Sequence, residues 1–355
     1  MQDYDPHKKN GTITVRVVCA IVFLAFSFLW LYEFQADVLA VAQHVLSGGQ
    51  THYDRTVGAV IITLVLQCLQ LGAFAVTRLA RRTHALTYLP SMLLLAVISD
   101  IPADIDLHFS LGAWTWVVPT VLVAWGVAVW LSRHLLPFEN DDKQPTGLFS
   151  RRMWLNLLQM VAMMTAVAAI GNSNAVFHFT AHAETSLLKG DVGEALRVGK
   201  RSHETDESLT MLRIHALARK GQLGERLFEY PVVGTSADML PLKGSRSRLR
   251  LLPIDSIWRA FGARPVYRVE SRQYLHALSV DTVQHPMLAD YVLCGHLIDR
   301  DLEAFSADLP LFYNDTLATL PRYYREALEL WRLLPDDTVA DRASDSYRHY
   351  YYRKP

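Results

Sequence analysis

VGAVIITLVLQCLQLGAFAVTRL, residues 57–79, decides how this chain must be read. It carries no charged side chain before Arg78. It also exceeds the roughly 20 apolar residues that a helix needs to cross about 30 Å of hydrocarbon. A helix satisfies its own backbone polar groups, which lipid demands of any segment that crosses it. Working outward, four more apolar runs share the first half of the chain: residues 13–34, 85–99, 111–131 and 153–170. The run at 85–99 is short and contains Pro90, so it is the least regular of the five. Trp30, Tyr32, Trp114, Trp116, Trp130 and Trp154 fall at or near the ends of these runs, where amphipathic rings favour the headgroup level. The first run follows a short basic stretch with no small-residue cleavage site, and it reads as an uncleaved span.

The distribution of lysine and arginine orients these spans. Lys8 and Lys9 precede the first, Arg78, Arg81 and Arg82 follow the second, and Arg133, Lys143, Arg151 and Arg152 follow the fourth. The alternate connections hold few: residues 35–56 contain Arg55 and residues 100–110 contain none. Five spans with the N-terminus on the cytoplasmic side satisfy every loop, and this keeps the short run as a span. The expected organisation is a transmembrane domain over residues 1–171, an extracytoplasmic helical domain over 172–340 and a polar, aromatic tail over 341–355. Gln67 and Gln70, and likewise Asn156 and Gln159, share helix faces inside spans. No Asp, Glu or Lys lies mid-span, so interhelical hydrogen bonding is expected of them rather than an ion path.

Two outer loops carry chemistry. Residues 36–47 place Val38, Leu39, Val41, Ala42, Val45 and Leu46 at helical spacing, an amphipathic helix expected to lie on the membrane surface and ended by Gly48 and Gly49. Residues 99–110, SDIPADIDLHFS, bring Asp100, Asp104, Asp106 and His108. Beyond the last span, His178 and His182 stand one helical turn apart. His44, His108, His178 and His182 form a candidate divalent-metal set, since imidazole suits zinc, copper or iron. Among 14 histidines, a pair at this spacing also arises by chance.

The second half is charged and reads as amphipathic helices broken by glycine and proline. GDVGEAL begins at Gly190 and GQLGERL at Gly221, 31 residues apart, each after an apolar helix. Asp191 can cap the helix that follows it, with Glu194 completing a capping box. Helix hairpins at a period in the low thirties are the mark of tetratricopeptide-like stacking, although the usual W-x-x-L-G start is missing. Further helices are expected at 268–278, 286–305 and from Leu320. In the last, Tyr324, Ala327, Leu328, Trp331 and Leu334 make a core face. Between Pro241 and Pro253 lies a basic loop whose Lys243, Arg246, Arg248 and Arg250 are candidate partner-binding residues.

Composition narrows function mostly by exclusion. Net charge is zero, which gives no overall field for nucleic acid. Three cysteines, with Cys294 alone in the second half, exclude a disulfide-stapled domain. Dinucleotide, P-loop, nucleophile-elbow, HExxH and CxxC motifs are absent, so no cofactor is expected apart from the alternative of a metal.

AQHVLSGGQTHYDR (42–55), ALTYLPSMLL (85–94), GQLGERLFEYP (221–231) and LPRYYREALELW (320–331) are spread through both halves. In these stretches and their order the chain resembles a group of uncharacterised bacterial multi-pass inner-membrane proteins with tetratricopeptide-like periplasmic tails. The resemblance implies an all-α fold, with about five transmembrane helices followed by a soluble helical-repeat domain in the periplasm, and it brings no catalytic residue. The expectation is a membrane-anchored scaffold that presents its periplasmic domain to an envelope protein. The alternative is an envelope enzyme or transporter component in which outer-face His and Asp groups hold a metal or a small solute.

Overall fold

A computed structural model of the chain describes residues 6–79, 83–135, 150–260, 269–281, 286–313, 319–333 and 346–353. Arg81, Arg82, Lys143, Arg268 and Leu334 lie outside the described residues, as do residues 341–345, 354 and 355 of the tail. The fold is all-helical, with no strand among the described residues. It divides into two compact units, Met1–Asn174 and Ala175–Pro355.

The first unit contains α1 (Pro6–Leu29), α2 (Ala36–Leu46), α3 (Arg55–Thr77), α4 (Leu89–Ser99), α5 (Trp114–Leu135) and α6 (Arg151–Ile170). Four helices in it are long and apolar enough to cross a membrane: Ile13–Phe34, Arg55–Thr77, Trp114–His134 and Arg151–Ile170. The short run is a shorter apolar helix, His84–Ser99, whose first turn, His84–Tyr88, is 3₁₀. Pro90 sits at its start, where no backbone N–H is needed. At 1.5 Å per α residue and 2.0 Å per 3₁₀ residue, this segment still advances about 26 Å.

Burial in this unit is inside out. α3 buries Ala59, Thr63, Leu66, Gln70 and Thr77, while Val57, Ile61, Leu64, Val65 and Leu71 face outward. Small and polar groups thus fill the contacts and large aliphatic ones meet the surroundings, as expected where the solvent is lipid. Among the polar groups, Gln67 bonds within α3 and others reach between helices. Gln67 donates to Gln70 at 2.8 Å and Gln70 to Thr87 at 2.9 Å. Ser91 donates to the Leu66 carbonyl at 2.7 Å, and Asn156 accepts from the Ala85 N–H at 2.8 Å.

Hydrogen bonds also fix the direction of each helix. At one end of the bundle, Trp30 donates to the Ser99 hydroxyl (2.9 Å), Arg55 to the Tyr32 carbonyl (2.6 Å), Trp114 to Asp100 (2.8 Å) and the Asn172 N–H to the Ser99 carbonyl (3.1 Å). At the other end, Arg133 donates to the carbonyls of Thr77 (2.9 Å) and Val76 (3.0 Å). α3 and α5 therefore run in one direction, and α1, α4 and α6 run in the other. The helix over 36–46 forms as read, and Gly48 and Gly49 end it with φ of 60° and 81°. Its buried face (Val38, Leu39, Val41 and Ala42) packs on α3 and on the π-helical turn Trp30–Phe34, so that this face is not the one left to meet a membrane surface.

The second unit is a stack of helix hairpins. α7 (Ala175–Leu188) turns at Gly190 into α8 (Val192–Arg197), and α9 (Glu207–Arg219) turns at Gly221 into α10 (Leu223–Arg226). The Gly190 N–H donates to Leu187 at 3.0 Å and the Asp191 N–H to Ser186 at 2.9 Å. The Gly221 N–H donates to Ala218 at 2.9 Å and the Gln222 N–H to Leu217 at 2.9 Å. With φ of 82° and 62°, both glycines close Schellman turns. Asp191 accepts the Glu194 N–H at 2.9 Å and caps α8 as expected.

After α11 (Ile254–Ala260) and α12 (Ser271–Asp281), the same turn recurs without a glycine. α13 (Pro286–Ile298) meets α14 (Leu302–Phe312) at Arg300, φ 60°. Here the Arg300 N–H donates to Leu297 at 3.2 Å and the Asp301 N–H to His296 at 2.9 Å. The single helix expected over 286–305 is thus two. α15 (Arg322–Leu333) packs on α14, and α16 (Tyr347–Tyr352) packs on α15. On α15 Tyr324 and Ala327 are buried, but Trp331 is exposed, and Tyr323 and Leu330 take inward places. α8 and α10 hold six and four residues. Two helices that share a 34-residue tetratricopeptide unit are longer, so these hairpins do not have that motif's helix lengths.

Candidate functional site

The basic loop read as a partner-binding strip is partly folded inward. Lys243 is exposed. Arg246 is exposed too, but its guanidinium pairs with Glu207 at 3.0 Å and Asp238 at 3.2 Å. Burial pushes the Asp238 carboxyl up, yet the N–H groups of Arg246 and Thr235 and the Arg246 charge outweigh it, so the group titrates below its ordinary value. Arg248 donates its N–H to the Ser208 hydroxyl at 3.0 Å. Arg250 is buried beside the Phe177 ring.

The reason for this turn inward is Glu184, a fully buried residue of α7 that the sequence marks only as a neighbour of His178 and His182. Its carboxylate accepts the successive N–H groups of Arg250 (3.0 Å), Leu251 (2.5 Å) and Leu252 (2.9 Å). Burial raises its pKa, and the three N–H groups and the Arg250 charge oppose that rise. A carboxylate held this way pins the end of the basic loop to α7.

The candidate metal histidines have separate neighbours. His44 stacks on His52 at 6.1 Å between ring centres, and His108 lies 3.5 Å from Asp104 in the first unit. In the second unit His178 meets Phe177 edge-on, and His182 lies 3.6 Å from Glu194. Among the described residues no group of three or more His, Cys, Asp or Glu side chains is arranged to hold a metal ion.

A different histidine does face a cavity. Ser236, Tyr291, Gly295, His296 and Asp308 are among the residues that line a space of about 240 Å³ in the second unit. His296 Nε2 lies 2.8 Å from Asp308 Oδ2, a carboxylate–imidazole pair that fixes the ring's orientation. Ser236 donates its hydroxyl to Asp299 Oδ2 at 2.5 Å and its N–H to Oδ1 at 2.8 Å. Because the serine hydroxyl is directed at Asp299, the cavity holds an oriented imidazole rather than a nucleophile–base pair.

Close by in the core, Asp290 accepts the hydroxyls of Tyr313 and Tyr324, each at 2.8 Å. Burial raises the Asp290 pKa and the two hydroxyl donors oppose it. Cys294 lies 3.5 Å from the Tyr324 oxygen, and burial raises its thiol well above the ordinary range. This network is enclosed and serves packing.

Comparison with known families, curated proteins and solved structures gives no match for this chain.

Proposed function

We propose that the chain is a membrane-anchored scaffold. In this reading five helices cross the inner membrane of a bacterium, with the N-terminus cytoplasmic and the hairpin stack in the periplasm, where it engages an envelope protein. The observation that carries the reading is the threefold use of one Schellman turn, at Gly190, Gly221 and Arg300, to stack helix hairpins. Stacked hairpins leave long grooves suited to helices and extended peptides, the property that tetratricopeptide-like arrays use. The fifth crossing is supported by helix direction: α3 and α5 run the same way, so the segment His84–Ser99 returns the chain between them.

The test is a photo-reactive residue placed at Lys243 or Trp331, both exposed, in the full-length protein in intact cells. A stoichiometric protein adduct from either position supports the scaffold. No adduct above that from outward-facing Val123 overturns it. A second reading, an envelope enzyme or transporter component handling a small solute, is favoured by the cavity of His296, Asp308 and Ser236. Loss of cellular function in Asp308→Asn with an unchanged adduct pattern selects it over the scaffold.

A further inference from the structure

The first unit contains a cavity of about 390 Å³ near the end of the bundle marked by Trp30 and Trp114. Its walls come from α2, the start of α3, the end of α4 and the loop that follows α4. Leu39, Ala42, Ile62, Ile98, Ile105 and Phe109 make them largely apolar. The volume falls at the lower end of the 300–1,000 Å³ typical of ligand sites. That is room for part of one hydrocarbon chain and too little for the two chains of a phospholipid.

The polar part of the wall is specific in sign. Asp100 is the charged side chain lining the cavity among the described residues, and no lysine or arginine joins it. Trp114 donates to Asp100 Oδ2 at 2.8 Å, which orients the carboxylate and leaves Oδ1 for another donor. The rings of Tyr53, Phe109 and Trp114 line the same space. Tyr53 is seated firmly, because Gly58 leaves room for its ring where a Cβ would lie 2.3 Å from it. Burial, reinforced by Asp54, pushes the Tyr53 phenol up to about 12, so its ring stays neutral. A carboxylate in a cavity that aromatic side chains also line offers an ammonium group an opposite charge and polarisable neighbours.

We infer that this cavity binds a membrane phospholipid bearing an ethanolamine headgroup, with part of one acyl chain in the apolar chamber and the ammonium at Asp100. An anionic glycerol headgroup meets the Asp100 charge unfavourably, so the site discriminates by headgroup. The inference rests on the membrane reading of the first unit.

The experiment is native mass spectrometry of the full-length protein, reconstituted in equal amounts of phosphatidylethanolamine and phosphatidylglycerol and then released from detergent. The wild type retains one phosphatidylethanolamine in preference to phosphatidylglycerol. Asp100→Asn, which keeps an oxygen for Trp114, reduces that preference by about tenfold, the equivalent of one charge-assisted contact. Ala42→Phe fills the chamber and abolishes retention of both lipids. Equal retention of the two lipids by the wild type overturns the inference, and so does a preference unchanged in Asp100→Asn. A chain recovered free of membranes before reconstitution would instead fail the membrane reading itself.

Discussion

α3 in the first unit and α9 in the second dispose of their apolar side chains in opposite ways. α3 buries a stripe of alanine, threonine and glutamine with Leu66 and turns Val57, Ile61, Leu64, Val65 and Leu71 outward. α9 is buried from Ser208 to Ala218, and its leucines and isoleucine enter a single apolar core. The difference teaches that hydrophobicity alone does not tell inside from outside here. What distinguishes the two units is where the polar groups go. In the first unit, Gln70, Ser91 and Asn156 tie helix to helix. In the second, buried carboxylates fasten loops and side chains: Glu184 holds Arg250–Leu252 and Asp290 holds two tyrosines.

The largest effect that would break this contrast is at Glu184. Glu184→Ala leaves three buried N–H groups and the Arg250 charge without their acceptor, a loss of about 3–5 kcal/mol by analogy with a broken buried pair. Chemical unfolding of the second unit in the full-length protein should show it, and Glu184→Gln, which keeps one acceptor oxygen, should cost less. A loss under 1 kcal/mol would mean that the loop is held by other contacts.

Next comes acid. Burial, with Arg219 adding to it, lowers the His215 pKa from 6.5 to about 4. The unfolded chain then binds a proton that the folded chain refuses, so stability is intact above pH 6.5 and falls as pH drops toward 4. The full shift corresponds to about 3 kcal/mol. In His215→Gln the part of the acid-unfolding slope due to this group should vanish.

Smaller effects sharpen the comparison of helix surfaces. Gly58→Ala drives a methyl into the Tyr53 ring and should cost about 1–3 kcal/mol. Gly72→Ala, where nothing lies within 4 Å, should be neutral or stabilising by thermal melting in detergent. Gly190→Ala and Gly221→Ala meet no neighbouring atom within 4 Å, so their cost is that of left-handed backbone, about 1–2 kcal/mol each. Equal losses at the two positions would support a common turn, and a loss at one alone would break the equivalence.

Much of the architecture was legible because it depends on local chemistry. Long apolar runs announce helices over 55–77 and 151–170, and Gly190 and Gly221 mark their turns by residue type. The third turn was hidden because Arg300 takes a left-handed conformation without the glycine that usually signals it. In hindsight the signal was Asp301, whose carboxylate accepts the Ala304 N–H at 3.0 Å and starts α14. The candidate cavity was illegible for another reason. Ser236 and His296 are brought together by packing of α13 against the 3₁₀ turn Ser236–Met239, and no local spacing encodes that meeting. Likewise, the burial of Arg250 was not legible because Glu184, which accepts its N–H, belongs to a helix much earlier in the chain.

The direct test of the central claim counts crossings. Single cysteines replace Gln50 at one end of the bundle, Arg78 at the other, and Lys243 in the hairpin unit, all of them exposed. Native Cys19 and Cys294 are buried, and Cys68 sits on the outward face of α3. Intact cells are then treated with a membrane-impermeant maleimide. Five crossings predict labelling at Gln50→Cys and Lys243→Cys, and at Arg78→Cys only after permeabilisation. Lys243→Cys labelling together with Arg78→Cys, and opposite to Gln50→Cys, would mean an even number of crossings and contradict the proposed topology.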